Sequence, residues 1–146
     1  MFAEIRAIAD DLTSRKISLN SGSSANQVTL SYSTTTKALR SIVFDGTIRA
    51  DFSCPLVNIL DSVKVAIKYK DADFSFWVNG LEVDSSNGSI GTLSLNSLSF
   101  DSGTSEPLYG RVKKLSVYDQ ALSTTELETL TGFTSFAEMQ SYLNYA

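Results

Sequence analysis

Val63-Lys64-Val65-Ala66-Ile67-Lys68-Tyr69-Lys70, Asp71-Ala72-Asp73 and Phe74-Ser75-Phe76-Trp77-Val78-Asn79-Gly80 carry the reading of the fold. In the first run the apolar side chains of Val63, Val65, Ile67 and Tyr69 recur every second residue. Lys64, Ala66, Lys68 and Lys70 occupy the alternate positions. That period is a strand with one buried face. Phe74, Phe76 and Val78 repeat the pattern after a short polar turn, so the two runs read as a hairpin. Asn79-Gly80 is a strong signal for a tight turn with positive φ, and Leu81 to Ser85 would return as a third strand.

Working outward, Phe2 to Ile8, Lys16 to Leu19, Gln27 to Tyr32, Leu39 to Phe44 and Thr47 to Phe52 also fit strands. So do Thr92 to Phe100 and Tyr109 to Tyr118. Clusters of Ser, Thr, Asn and Gly separate them, as at Asn20 to Asn26 and Ser33 to Thr36. About ten strands at even spacing, with no long helix between them, predict an all-β sandwich or jelly roll. The 23 serines, 13 threonines and only two prolines suit such a fold.

The period changes near the C-terminus. Ser123-Thr124-Thr125-Glu126 and Ser135-Phe136-Ala137-Glu138 each have the form of a capping box. Leu122, Leu127 and Leu130 can share one side of a first short helix, which Gly132 ends. Phe136, Met139, Tyr142 and Leu143 form the apolar stripe of a second, expected to dock on the sandwich. The domain reading is a sandwich over 1–131 and an amphipathic helix over 132–146.

Composition excludes several chemistries. The 146 residues suffice for one core. No histidine is present, which removes histidine-based triads and nearly all zinc sites. Cys54 is the single cysteine, so no intrachain disulfide forms, and no base stands ready to make it a nucleophile. A net charge of −4 argues against nucleic acid as partner. No apolar run approaches the ~18 residues of a membrane-spanning helix. Met1 to Asp11 carries four charges and no signal-peptide core, so export would need another route or an upstream segment.

Two segments together carry a resemblance. The run from Val63 to Gly80 resembles the strand pair ending in "YVNG" of laminin-G-like domains. Tyr109-Gly110-Arg111-Val112-Lys113-Lys114-Leu115-Ser116-Val117-Tyr118, continued through Ala121-Leu122-Ser123 and Leu130-Thr131, resembles their "GxIxxLxVYxxALS" closing strand. These domains belong to the concanavalin A-like lectin/glucanase superfamily. The wording around Phe2-Ala3-Glu4-Ile5 and Leu130-Thr131-Gly132-Phe133 is similar to copies in bacteriophage tail proteins. The resemblance implies a two-sheet antiparallel jelly-roll sandwich with one concave and one convex sheet. In such domains an N-terminal strand pairs with the closing strand. Phe2 onward reads instead as an internal strand, so the chain is expected to lack that partner and to leave Tyr109 to Tyr118 as an open edge prone to self-association.

The functional expectation is non-catalytic carbohydrate binding, as in a phage tail or surface adhesin, at an extracellular or virion surface. The alternative is a structural domain that only packs against neighbours in such an assembly. Trp77, on the face opposite Phe74, Phe76 and Val78, is the expected stacking platform for a sugar ring. Lys64, Lys68 and Lys70 share that face, and Tyr32 and Tyr109 are further candidates. Arg111, Lys113 and Lys114 add positive charge on the closing strand, which would suit an anionic glycan. The expected partner is a glycan or cell-surface polysaccharide, together with a second copy or tail-assembly partner.

Relatives with glucanase activity use Glu-x-Asp-x-x-Glu. Glu82-Val83-Asp84-Ser85-Ser86-Asn87 approaches it, with Glu82 and Asp84 expected on one strand face. Asn87 stands where the second glutamate is needed, and it cannot supply a proton, so no hydrolase is expected. No cofactor is required. Calcium, which relatives hold in loops, would draw on Asp71, Asp73, Asp84 and Asp101 near turns, without a specific cage.

Overall fold

A computed structural model describes residues 1–143. Ten strands and two helices follow in chain order: β1 (Phe2–Ala7), β2 (Arg15–Asn20), β3 (Gln27–Tyr32), β4 (Ala38–Phe44), β5 (Ile48–Pro55), β6 (Val63–Lys70), β7 (Asp73–Val78), β8 (Leu81–Ser86), β9 (Ser97–Ser99), β10 (Gly110–Ser116), α1 (Thr124–Thr131) and α2 (Phe136–Leu143). One sheet runs β10-β1-β6-β7-β8 and the other β5-β4-β3-β2-β9. All neighbours are antiparallel, so the fold is the expected two-sheet jelly-roll sandwich with short C-terminal helices.

Period two sorts the side chains as the sequence suggests. Ala3, Ile5, Val63, Val65, Ile67, Phe74, Phe76 and Val78 point inward from the first sheet. They meet Ile17, Leu19, Val28, Leu30, Leu39, Val43 and Phe52 of the second. Phe52 and Phe76 stack across the interior with centroids 6.2 Å apart. Each buried aliphatic or phenyl side chain of this kind contributes roughly 1.5–3 kcal/mol. The turn joining β7 to β8 has Asn79 at φ 49° and Gly80 at φ 85°, the conformation expected of Asn-Gly. Glycine is required at position 80 twice over, because a Cβ there would lie 3.2 Å from the Gly132 Cα.

Three expectations need correction. First, β1 is an internal strand, flanked by β6, yet it also pairs with the closing strand β10 from Phe2↔Ser116 to Ala7↔Gly110. The N-terminal strand that meets the closing strand is β1 itself. The other edge of β10 pairs with no described strand.

Second, the strand expected from Thr92 shrinks to Ser97–Ser99. The backbone N–H groups before it are taken by side chains. Ile90 N donates to Asp71 Oδ1 (3.0 Å), Thr92 N to Asp45 Oδ2 (2.9 Å) and Ser94 N to Asn26 Oδ1 (3.0 Å). Residues 87–96 therefore form a belt across one end of the sandwich. Gly91 sits so close to Asp45 that a Cβ would overlap its carboxylate.

Third, α2 docks with less of its stripe than expected. Tyr142 packs on Phe133, 5.5 Å between ring centroids, but Phe136 is 68% exposed and α2 buries no residue. The part of the expected C-terminal unit beyond Leu143 lies outside the described residues.

Candidate functional site

The outer face of the β10-β1-β6-β7-β8 sheet carries most of the residues singled out in the sequence. Phe2, Ala66, Trp77 and Glu82 stand in one row across β1, β6, β7 and β8. The neighbouring row is Lys68, Ser75 and Ser85, and beyond it Lys70 faces Asp73.

Trp77 does point outward, but α1 lies over it. It packs with Phe2, Ala66 and Leu127, with Leu122 and Leu130 at the margin, and is 4% exposed. The expected stacking platform is therefore a second small core. The cause is the first capping box: Ser123 Oγ accepts from Glu126 N (3.3 Å) while Glu126 Oε2 accepts from Ser123 N (2.7 Å). This starts α1 where its leucines fall on the sheet. At the other end Thr131 Oγ1 accepts from Gly80 N (3.1 Å), tying α1 to the Asn79-Gly80 turn.

The indole keeps one functional contact. Trp77 Nε1 donates to Ser75 Oγ at 3.0 Å. With its lone pair so engaged, the Ser75 hydroxyl hydrogen is left to donate elsewhere.

The lysines separate. Lys64 is 8% exposed: its ammonium donates to Gly132 O (3.0 Å) and pairs with Glu138 (2.9 Å). It thus complements the C-terminal end of α1 and holds α2. Glu138 also accepts from Thr134 N and Thr134 Oγ1, and these bonds with Lys64 depress its carboxyl to about 2. Lys68 pairs with Asp73 at 2.6 Å. Lys70 stands exposed at the hairpin end.

Neither tyrosine belongs to this surface. Tyr32 is 2% exposed inside the sandwich, where burial raises its phenol pKa, and Tyr109 is exposed at the opposite end of the sheet, before β10. Their side chains took these places because Tyr32 has inward parity with Leu30 and Val28, and Tyr109 precedes the Gly110↔Ala7 pair.

What remains open is a polar cleft of about 440 Å³ beside Trp77, between β6, β7, β8 and the start of α1. Lys68, Asp73, Ser75, Glu82, Ser85 and Asn87 line it. The size falls within the range of small-ligand sites. The groups comprise an ammonium, two carboxylates, two hydroxyls and an amide, so donors and acceptors are mixed as a polyhydroxylated ligand requires. Among the described residues the one ring lining the cleft, Phe74, is turned into the core.

Of the residues lining this cleft, sequence reasoning singled out Lys68 for a ligand and did not consider Ser75, Ser85 or Asp73 for that role. The signal available was parity alone, since they share the lysine face.

Glu82 and Asp84 do not share a face. A β-bulge at Val83 sets Glu82 opposite Trp77 on the outer side and Asp84 opposite Phe76 on the inner side. Asp84 Oδ1 accepts from Ser85 N (2.8 Å), so its local turn chemistry accounts for it. The four aspartates considered for calcium are dispersed. Asp71 binds the belt, Asp73 binds Lys68, and Asp101 Oδ1 accepts from Gly103 N (2.6 Å). Among the described residues no group of three or more acidic or Cys side chains is placed to hold a metal. Among them, too, no helix is long and apolar enough to cross a membrane.

No protein-family model matches the chain, and no curated protein matches its sequence. Among solved structures it is similar to the CBM40 of an IT-sialidase from Ruminococcus gnavus. The TM-score is 0.59 at 16% identity, over 90% of this chain and 80% of that one. At that identity the likeness concerns the fold.

Proposed function

We propose that this chain is a non-catalytic carbohydrate-binding module whose ligand sits in the cleft lined by Lys68, Asp73, Ser75, Glu82 and Ser85. The observation that carries the reading is that cleft: a polar, open depression of mixed donors and acceptors on the outer face of a sandwich. The similarity in fold to a carbohydrate-binding module supports it. Ser85, exposed beside Lys68, donates to a sugar hydroxyl, while Ser75 is buried under Trp77 and shapes the floor. Asp73 and Glu82 accept from others, and the Lys68 ammonium donates to a ring or hydroxyl oxygen.

Among the described residues no exposed ring lines the cleft, so the affinity is drawn from hydrogen bonds. Three or four of them at about 1 kcal/mol each give a Kd near the millimolar range. A module of this strength works when displayed in several copies, as on a phage tail or surface adhesin at the cell exterior. The separation of Glu82 from Asp84 by the bulge supports a binding role over a hydrolytic one.

The test is a glycan array followed by titration calorimetry, with wild type, Lys68→Ala and Ser85→Ala side by side. Binding to a defined sugar class that weakens about fivefold in each variant, with thermal midpoints retained, supports the reading. A folded wild type that binds nothing on the array, or variants that bind as well as it does, sinks it.

A further inference from the structure

β1 and β10 place two arginines directly opposite each other. Arg6↔Arg111 is a cross-strand pair, both are exposed, and both stand on the outer face, since Ile5 and Val112 beside them turn to the core. Like charges so placed destabilise a strand pair, because the Cβ atoms lie only about 5 Å apart. Elsewhere on this corner the cations are occupied. Lys113 Nζ donates to Glu4 Oε1 at 2.9 Å, and Lys114 Nζ sits 5.6 Å from the centre of the Phe2 ring. Among the described residues neither Arg6 nor Arg111 has an ion-pair or hydrogen-bond partner of its own. Two arginines with no partner among the described residues therefore face each other across the strand pair in a protein of net charge −4.

We propose that Arg6 and Arg111 form an oxyanion-binding site for the carboxylate or sulfate group of an acidic saccharide. A guanidinium offers paired N–H donors that match two oxygens of one anion. An anion between the two arginines turns their mutual repulsion into attraction. The site is separate from the cleft at Lys68: Arg6 lies at the Ala7 end of β1, and Lys68 lies beyond its Phe2 end. It adds a charged subsite to the saccharide-binding reading and rests on that reading only for the saccharide that carries the anion.

Competition between Glu4 and the ligand is limited, because Glu4 is committed to Lys113 and to Ser62 Oγ (3.4 Å). Exposed charges also make the interaction salt-dependent, with a screening length near ~10 Å at 0.1 M.

The test follows arginine Nε–Hε signals by NMR at low salt while galacturonate oligomers, sulfated chondroitin oligomers and uncharged dextran oligomers are added. The expected result is saturable shifts of the Arg6 and Arg111 signals with one or both acidic oligomers and none with dextran. Which acid saturates first tells carboxylate from sulfate. Affinity falls at least tenfold in Arg6→Gln/Arg111→Gln, while that variant keeps or raises its thermal midpoint because the repulsion is gone. Lys68→Ala leaves the acid-induced shifts in place, so failure of the cleft and failure of this site are told apart. Acidic oligomers that bind the double variant as tightly as wild type, or that shift neither arginine at millimolar concentration, overturn the proposal.

Discussion

Replacing Trp77 by alanine separates a packing role from a ligand-stacking one. The side chain is 96% removed from solvent beneath α1. A tryptophan buries about 200 Å², which at about 25 cal/mol per Å² corresponds to about 5 kcal/mol of transfer free energy. Large-to-small changes in cores cost roughly 3–5 kcal/mol, with the lower figure applying where neighbours settle into the gap. α1 is short and held at its ends, so some settling is expected and about 3 kcal/mol is the working value. In a chain of this size that shifts the midpoint by roughly 6–12 °C.

Trp77→Phe keeps a ring against Leu127 but loses the bond to Ser75 and part of the buried ring volume, costing about 1–2 kcal/mol. The assay is thermal unfolding followed by far-UV circular dichroism, which does not depend on the tryptophan. Wild-type emission, from the single tryptophan, should be blue-shifted and poorly quenched by acrylamide. A Trp77→Ala protein within 2 °C of wild type, together with freely quenched wild-type emission, would refute the packing of α1 over the sheet.

Two further outcomes follow from the helices. Ser123→Ala removes the capping hydroxyl of α1 and should cost about 1 kcal/mol; its signature is a red shift of Trp77 emission before global unfolding. Glu138→Gln should alter the acid limb of stability. The carboxyl is depressed in the fold from the usual 4.5 to about 2, so its contribution is fully present above pH 4.5 and disappears as pH falls through about 2. The group is partly exposed and screened, so a difference of about 1 kcal/mol is expected at pH 6. Wild type and variant should converge in urea titrations near pH 2. A difference that persists there would refute the Lys64–Glu138 tie.

How far the sequence was readable depends on the range of the interactions involved. Val63 to Gly80 declared its hairpin and turn because alternation and Asn-Gly act over a few residues. Ser123 and Glu126 declared a helix start for the same reason. Parity placed Trp77 on the outer face correctly, but parity does not tell what lies over a face. The cover comes from Leu127, fifty residues on. Residues 92–96 alternate as a strand would, yet Asp45 and Asn26 take their N–H groups, and such long-range side-chain partners leave no local signal. The bulge at Val83 moved Asp84 to the other face by one inserted residue, which period counting assumes away. Along the cleft, charge drew attention to Lys68, whereas nothing local marks Ser75 and Ser85, which only the fold brings beside it.

The belt at residues 87–96 also bears on the order in which the molecule assembles. Its three anchors belong to three different hairpins: Asn26 precedes β3, Asp45 lies between β4 and β5, and Asp71 lies between β6 and β7. None of the anchors is in position until its own hairpin has closed, and all three must sit at the same end of the sandwich. The belt is thus expected to close late in folding, as a clasp fastened after the sheets have met. Interactions made after the transition state act on the rate of opening far more than on the rate of folding. Substitutions at Asp45, Asn26 or Asp71 are therefore expected to shorten the life of the folded molecule more than they slow its formation.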